Sequence, residues 1–127
     1  MNSPKFVTAI NYIDGRVQVP VIEYLKNNCG AKYVDMITEP GPNKILGEKK
    51  DNAVLESIRK WVEISITRHA SNLVAIVGHH DCAGNPVDKK TQLRQIITAI
   101  KTIESWGFDV KVMGLGVDAN WKVYEAK

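Results

Sequence analysis

Two pairs of side chains combine groups that bind metals or hold charge. His79 and Cys82 are three residues apart and follow the apolar run 74–77. Imidazole and thiolate are both good zinc ligands, and this separation in a turn brings them to one side. The pair alone is weak evidence, because a lone cysteine is usually a small buried hydrophobic residue. Its place after a buried strand makes a metal site as credible as a structural role.

The second pair is Asp14 and Arg16, which follow the predicted first strand. A guanidinium this close to a carboxylate can pair with it and keep the acid ionised. An ionised Asp14 could ligate a metal, or accept a hydrogen bond from a metal-bound water. On these residues alone, a salt bridge that braces a turn is the favoured interpretation.

The elements that would position these side chains alternate along the chain. Apolar periodicity and turn signals predict strands at 5–13, 33–37, 73–77, 110–115 and 121–124. Helices are predicted between them, the first from Pro20 to Gly30, the second from Asp51 or Asn52 and the third from Asp88 to Gly107. Segment 39–44 is predicted to be irregular, because two prolines and a glycine interrupt it.

This alternation predicts a single α/β domain over residues 1–127, with a mostly parallel central sheet and helices on both faces. The final short strand is expected to return antiparallel at one edge. In such a sheet, ligands bind at the carboxyl ends of the central strands. We therefore expect Asp14, Arg16, His79 and Cys82 to meet at that edge.

The composition excludes several classes of function. The net charge is only +3 over 127 residues, and basic and acidic residues are interspersed, which argues against a nucleic-acid partner. No apolar run approaches the ~20 residues of a membrane span, and the first residues lack the apolar core of a signal peptide. Two cysteines make no disulfide framework. A cytoplasmic, reduced protein is expected, with no membrane partner.

At its two motifs the sequence resembles the β-class carbonic anhydrases. The signature of that family is Cys-x-Asp-x-Arg at the end of the first strand and His-x-x-Cys at the end of a later one. Here residues 12–16 read Tyr-Ile-Asp-Gly-Arg and residues 79–82 read His-His-Asp-Cys. The tail at 112–118 is also similar to the last strands of the family. The resemblance implies a sheet of order 2-1-3-4 and zinc-dependent hydration of carbon dioxide to bicarbonate.

The resemblance also implies roles for individual residues. Asp14 and Arg16 match the catalytic pair of the family, and His79 and Cys82 match two of its zinc ligands. Tyr12 stands where the family has its third zinc ligand, a cysteine. Cys29 is a poor substitute, because it is predicted near the opposite edge of the sheet. Residues 38–41 replace an Arg-Asn-Ala-Gly stretch of the family, so that part of the pocket is rebuilt.

With Tyr12 in place of the cysteine, three alternative states of the zinc site are expected. Zinc is held by Asp14, His79 and Cys82 with water in the fourth position, or the phenol fills the place of metal and thiolate. In the third state a neighbouring group completes the shell: His80, Glu39 or the Tyr12 hydroxyl. Because Asp14 cannot both ligate zinc and orient the hydroxide, weakened or absent hydration is favoured over full activity.

The alternative is a non-catalytic binding or scaffold relative with a small-anion pocket near Arg16. Bicarbonate or another small anion would suit a guanidinium and nearby backbone N–H groups. An unrelated nucleotide-binding domain is disfavoured, because neither Gly-x-Gly-x-x-Gly nor a P-loop follows the first strand. A homodimer is left open, since the sequence lacks the N-terminal helical arm with which family members usually embrace a partner subunit.

Overall fold

The computed structural model describes residues 5–79 and 88–127. Within these ranges the strands are β1 (Phe6–Tyr12), β2 (Tyr33–Glu39), β3 (Leu73–His79), β4 (Lys111–Val117) and β5 (Val123–Glu125). The helices are α1 (Gln18–Cys29), α2 (Pro42–Glu48), α3 (Asn52–His69) and α4 (Lys89–Glu104). A single 3-10 turn, Gly15–Val17, joins β1 to α1.

The strands form one sheet in the order β2-β1-β3-β4-β5. Strand β1 pairs in parallel with β2 and β3, and β3 pairs in parallel with β4, whereas β5 is antiparallel to β4. The predicted order 2-1-3-4 and the antiparallel edge strand are thus confirmed. Because β1, β3 and β4 are parallel, Tyr12, His79 and Val117 end at the same edge of the sheet.

Helices cover both faces of the sheet, as predicted. Helix α1 packs one face through Val21 and Leu25. Helices α2, α3 and α4 pack the other face, where Leu46, Ile58 and Ile96 share a core with the central strands. The unbroken apolar run in β3 follows from this arrangement, because a strand covered on both faces has no side to expose to water.

The ends of the helices follow their capping residues. Asp51 and Asp88 accept hydrogen bonds from the backbone N–H groups three residues later, at 3.2 and 2.7 Å, and so begin α3 and α4. Gly30 ends α1 with φ +68°, a conformation that most side chains resist. These predicted boundaries are confirmed.

Two expectations from the sequence are wrong. Segment 39–44 is not irregular throughout, because α2 begins at Pro42, where a missing N–H costs nothing, and Gly41 makes the preceding bend with φ +79°. The spacing of apolar residues predicts that Trp61 and Leu93 lie on the buried faces of α3 and α4, yet they are 50% and 40% exposed. None of the helices in the described ranges is long and apolar enough to cross a membrane.

Candidate functional site at the carboxyl edge of the sheet

Tyr12 is the last residue of β1, and its side chain is buried in the core. Its hydroxyl donates a hydrogen bond of 2.6 Å to Oδ1 of Asn43, a buried residue of α2. Its ring meets that of His79 edge-on, with 4.2 Å between the centroids. The phenol is therefore fixed at both its polar and its apolar end, directly beside the imidazole.

His79 is the last residue of β3 and is 1% exposed. Its backbone carbonyl accepts a hydrogen bond from Nε2 of Gln92 in α4. The preceding residue is Gly78, where a Cβ atom would lie 2.8 Å from Cδ1 of Ile96. The glycine thus lets α4 approach the strand closely enough to hold the backbone of His79.

Asp14 and Arg16 form a two-point ion pair in the turn after β1. Nε and Nη2 of Arg16 donate to the two carboxylate oxygens of Asp14, at 3.0 and 2.7 Å, and the Arg16 backbone N–H donates at 3.0 Å. The Arg16 side-chain bonds, followed by the backbone bond, hold the pKa of Asp14 well below its usual range. Partial burial opposes this shift, and His79 adds a smaller effect that also lowers the pKa.

Replacing Arg16 with alanine is expected to raise the pKa of Asp14 toward its ordinary value of 3.8. A carboxyl with a lowered folded pKa stabilises the fold above the unfolded pKa, and this contribution disappears as the pH falls below about 4. The folding stability of Arg16→Ala should therefore fall less on acidification than the stability of the wild type. Carbon-detected NMR titration of the Asp14 carboxyl measures the pKa directly. Arg59→Ala, which breaks a pair with Glu56, is the matched control, and an unchanged Asp14 pKa in Arg16→Ala would contradict the geometry.

Trp121 also contacts this site, although its sequence context predicts only a residue of the last strand. It lies in the turn between β4 and β5, and Cζ of Arg16 is 4.5 Å from its ring centroid. The ring centroid of His79 is 6.4 Å away. The residues Asp118, Ala119 and Asn120 are typical of a turn, and a turn after β4 lies at the edge of the sheet that carries His79. That is the signal from which Trp121 could have been assigned to the site.

The structure places the predicted site residues as follows. Asp14, Arg16 and His79 lie together at the carboxyl edge, and Tyr12, the last residue of β1, contacts His79 there. Cys82, together with His80 and Asp81, lies outside the described residues. Glu39 ends the neighbouring strand β2, and burial, with a smaller effect of Asp51, raises the pKa of its carboxyl. Asn43 was missed, because its segment was expected to be irregular.

Cys29 lies at the opposite edge of the sheet. It ends α1, and its backbone carbonyl accepts a hydrogen bond of 3.0 Å from Nζ of Lys5, just before β1 begins. The thiol lines a cavity of about 510 Å³ together with residues from the starts of β3 and β4, among them Leu73 and Lys111. This position agrees with the expectation that Cys29 cannot replace the missing ligand.

The described residues alone do not complete a zinc site at the carboxyl edge. The described residues bring no three His, Cys, Asp or Glu side chains together. His79 offers an imidazole, but both oxygens of Asp14 are bonded to Arg16, and Tyr12 uses its hydroxyl proton to bind Asn43. A metal bound by Asp14 would compete with Arg16 for these oxygens.

Two solved structures are similar to this chain in fold. One is reported among two tetrameric β-carbonic anhydrases from Sordaria macrospora, with a TM-score of 0.56 and 12% sequence identity over 98% of this chain and 81% of that one. The other is the β-carbonic anhydrase CafA of Aspergillus fumigatus, with a TM-score of 0.48 and 15% identity over 99% and 78% of the two chains. At this identity the first comparison supports the fold alone.

The family of this chain is assigned by comparing its sequence with known proteins and family models. No curated protein matched it. A family model described as "Putative carbonic anhydrase" matches residues 2–127, which is nearly the whole chain. The chain therefore belongs to this carbonic anhydrase family.

Proposed function

We propose that this chain is a β-carbonic-anhydrase-like protein with an altered zinc site, in which the hydration of carbon dioxide to bicarbonate is weakened or lost. The proposal treats residues 1–127 as one such domain. One observation carries it. Tyr12, which the family resemblance puts at the position of the first zinc-ligating cysteine, is buried against His79, and its hydroxyl donates a hydrogen bond to Asn43.

A tyrosine in this place cannot act as the thiolate would. The ordinary pKa of a tyrosine phenol is about 10, so the anion is costly at neutral pH, and here the hydroxyl donates a hydrogen bond to Asn43. The ring is also far larger than a thiol. It occupies space next to the imidazole of His79, where a metal bound to both strand ends would have to lie.

The protein ligands that we propose for zinc are His79, Cys82 and Asp14. One thiolate and one carboxylate carry the same charge as the two thiolates of the usual set, and all three side chains are competent zinc ligands. Bound zinc would supply an activated water at neutral pH. An Asp14 that ligates zinc cannot also orient the water, so we expect poor turnover even in the loaded protein.

A small-anion pocket near Arg16 is the second candidate. It is favoured by the position of Arg16 at the ligand-binding edge and by its side chain, which is 58% exposed. Bicarbonate or another small anion would have to compete with Asp14 for the guanidinium N–H groups. The location in the cytoplasm and the homodimer are predictions that belong with either candidate.

The direct test is carbon dioxide hydration, measured by stopped flow on zinc-supplemented protein purified without a polyhistidine tag. We expect a rate close to that of the buffer, changed little by a chelator or by His79→Ala. Turnover approaching the roughly 10⁶ s⁻¹ of an efficient zinc-hydroxide enzyme, abolished by both treatments, would overturn the proposal. If metal-free protein instead melts at a higher temperature in bicarbonate or sulfate, and Arg16→Ala does not, the anion-binding candidate is supported.

A further inference from the structure

We propose that Trp121 is a positioning residue that clamps Arg16 against Asp14, and thereby keeps Asp14 away from a metal at this site. The second half of this statement rests on the proposed function, whereas the clamp itself does not. The clamp is made of two contacts: the indole of Trp121 contacts the guanidinium of Arg16, and that guanidinium pairs with the carboxylate of Asp14.

The backbone of Trp121 is held in a conformation that large side chains rarely adopt. Its φ is +61°, in the left-handed region, where bulky residues are outliers. The turn is fixed by Asp118, whose carbonyl accepts from the Trp121 N–H at 2.9 Å and whose Oδ1 accepts from the N–H groups of Asn120 and Lys122 at 2.8 and 3.0 Å. A glycine or asparagine would fit this turn with less strain, so the indole has a use that outweighs the strain.

The indole of Trp121 is used to hold the side chain of Arg16. Its guanidinium donates to both oxygens of Asp14, and its Cζ lies over the Trp121 ring, 4.5 Å from the ring centroid. Tryptophan is the strongest cation–π partner among the side chains. The indole also packs against the buried cluster around α1, which limits its movement. Arg16 cannot turn away from Asp14 without leaving the indole.

This arrangement has a consequence for the metal. Zinc bound by Asp14 competes with the two-point pair to Arg16, and the indole favours that pair by holding the guanidinium in place. Removing the ring should therefore loosen Arg16 and make Asp14 easier to recruit. Replacing the indole with another aromatic ring should preserve most of the clamp.

The clamp is tested in metal-free protein through the side-chain Nε–H of Arg16, whose exchange with water is measured by NMR. In Trp121→Asn, which suits a positive φ, we expect exchange about 10-fold faster, in line with the loss of a partly buried cation–π contact. In Trp121→Phe it should stay within about threefold of the wild type, because an aromatic face is retained. Trp121→Gly serves as a second ring-free variant if the asparagine variant is poorly folded. Unchanged exchange in the ring-free variants would overturn the clamp.

The effect on Asp14 is tested by zinc titration of the same variants. Trp121→Asn should bind zinc severalfold more tightly than the wild type, and Trp121→Phe should not, whereas a merely structural role would weaken binding or leave it unchanged. In an Arg16→Ala background the asparagine substitution should have no further effect, because the clamp then has nothing to hold. If no variant binds zinc, the proposed zinc site is rejected, while the exchange measurement still decides whether Trp121 clamps Arg16.

Discussion

Replacement of Tyr12 with cysteine is expected to raise the affinity for zinc by about 100-fold or more. Loss of even an outer-shell partner changes metal affinity about 10–100-fold, and the cysteine restores a direct ligand. With His79 and Cys82 it completes three protein ligands and leaves the fourth position to water. Asp14 can then stay with Arg16, so we also expect hydration of carbon dioxide to rise well above the wild-type rate.

Tyr12→Ser is the matched control for this experiment. Serine leaves nearly the same cavity as cysteine and also loses the hydrogen bond to Asn43, but it provides no thiolate. Both variants should lose about 3 kcal/mol of stability, as is usual when a buried aromatic side chain is truncated. Only the cysteine variant should regain stability with zinc, measured by titration against a competing chelator and by melting. Equal zinc affinity in the two variants would contradict the assigned position of Tyr12, and His79→Ala should cancel the gain.

Replacement of Ile76 with alanine is expected to cost about 2–5 kcal/mol of unfolding free energy. Ile76 lies in the middle of β3, is fully buried, and belongs to the core between the sheet and helices α2, α3 and α4. Its neighbours across the sheet are Ile10 in β1 and Gly114 in β4, so a cavity at this point has few side chains that can collapse into it. Urea unfolding at neutral pH measures the effect.

Leu93→Ala on helix α4 is the control for the core prediction. Leu93 lies on the apolar stripe of α4 in the sequence but is 40% exposed, and substitutions at exposed positions usually change stability by about 0.5 kcal/mol or less. A large loss at Leu93 together with a small loss at Ile76 would contradict the placement of α4 on the sheet.

The architecture was predictable because its signals are local and strong. The apolar run in β3 indicates a strand that is buried on both faces, and the aspartates at 51 and 88 predict the starts of α3 and α4. The alternation of strands and helices then left few sheet topologies. Helix α2 is not predicted, because a proline is accommodated only in the first turn of a helix and otherwise interrupts it. The sequence alone does not show that Pro42 occupies the first turn. The width of a buried helical stripe is set by the neighbouring elements, and for that reason Trp61 and Leu93 were misplaced.

The sequence predicts which strand ends form the site, but it does not predict the contacts that fix the side chains there. Strand ends alone indicated that Asp14, Arg16 and His79 would meet. The partner of the Tyr12 hydroxyl could not be foreseen, because Asn43 comes from helix α2, which was not expected. The contact between Trp121 and Arg16 depends on a left-handed residue in a turn 105 positions away in the chain, and no periodic pattern encodes it.

The measurement that tests the central claim most directly is zinc per chain by elemental analysis, on wild type and Tyr12→Cys expressed with added zinc and purified without chelator or tag. We predict a small fraction of one zinc per chain in the wild type and close to one in the variant, because only the variant completes the ligand set while Asp14 stays paired with Arg16. Close to one zinc in the wild type would contradict the account, since it would mean that Tyr12 does not impair the metal site.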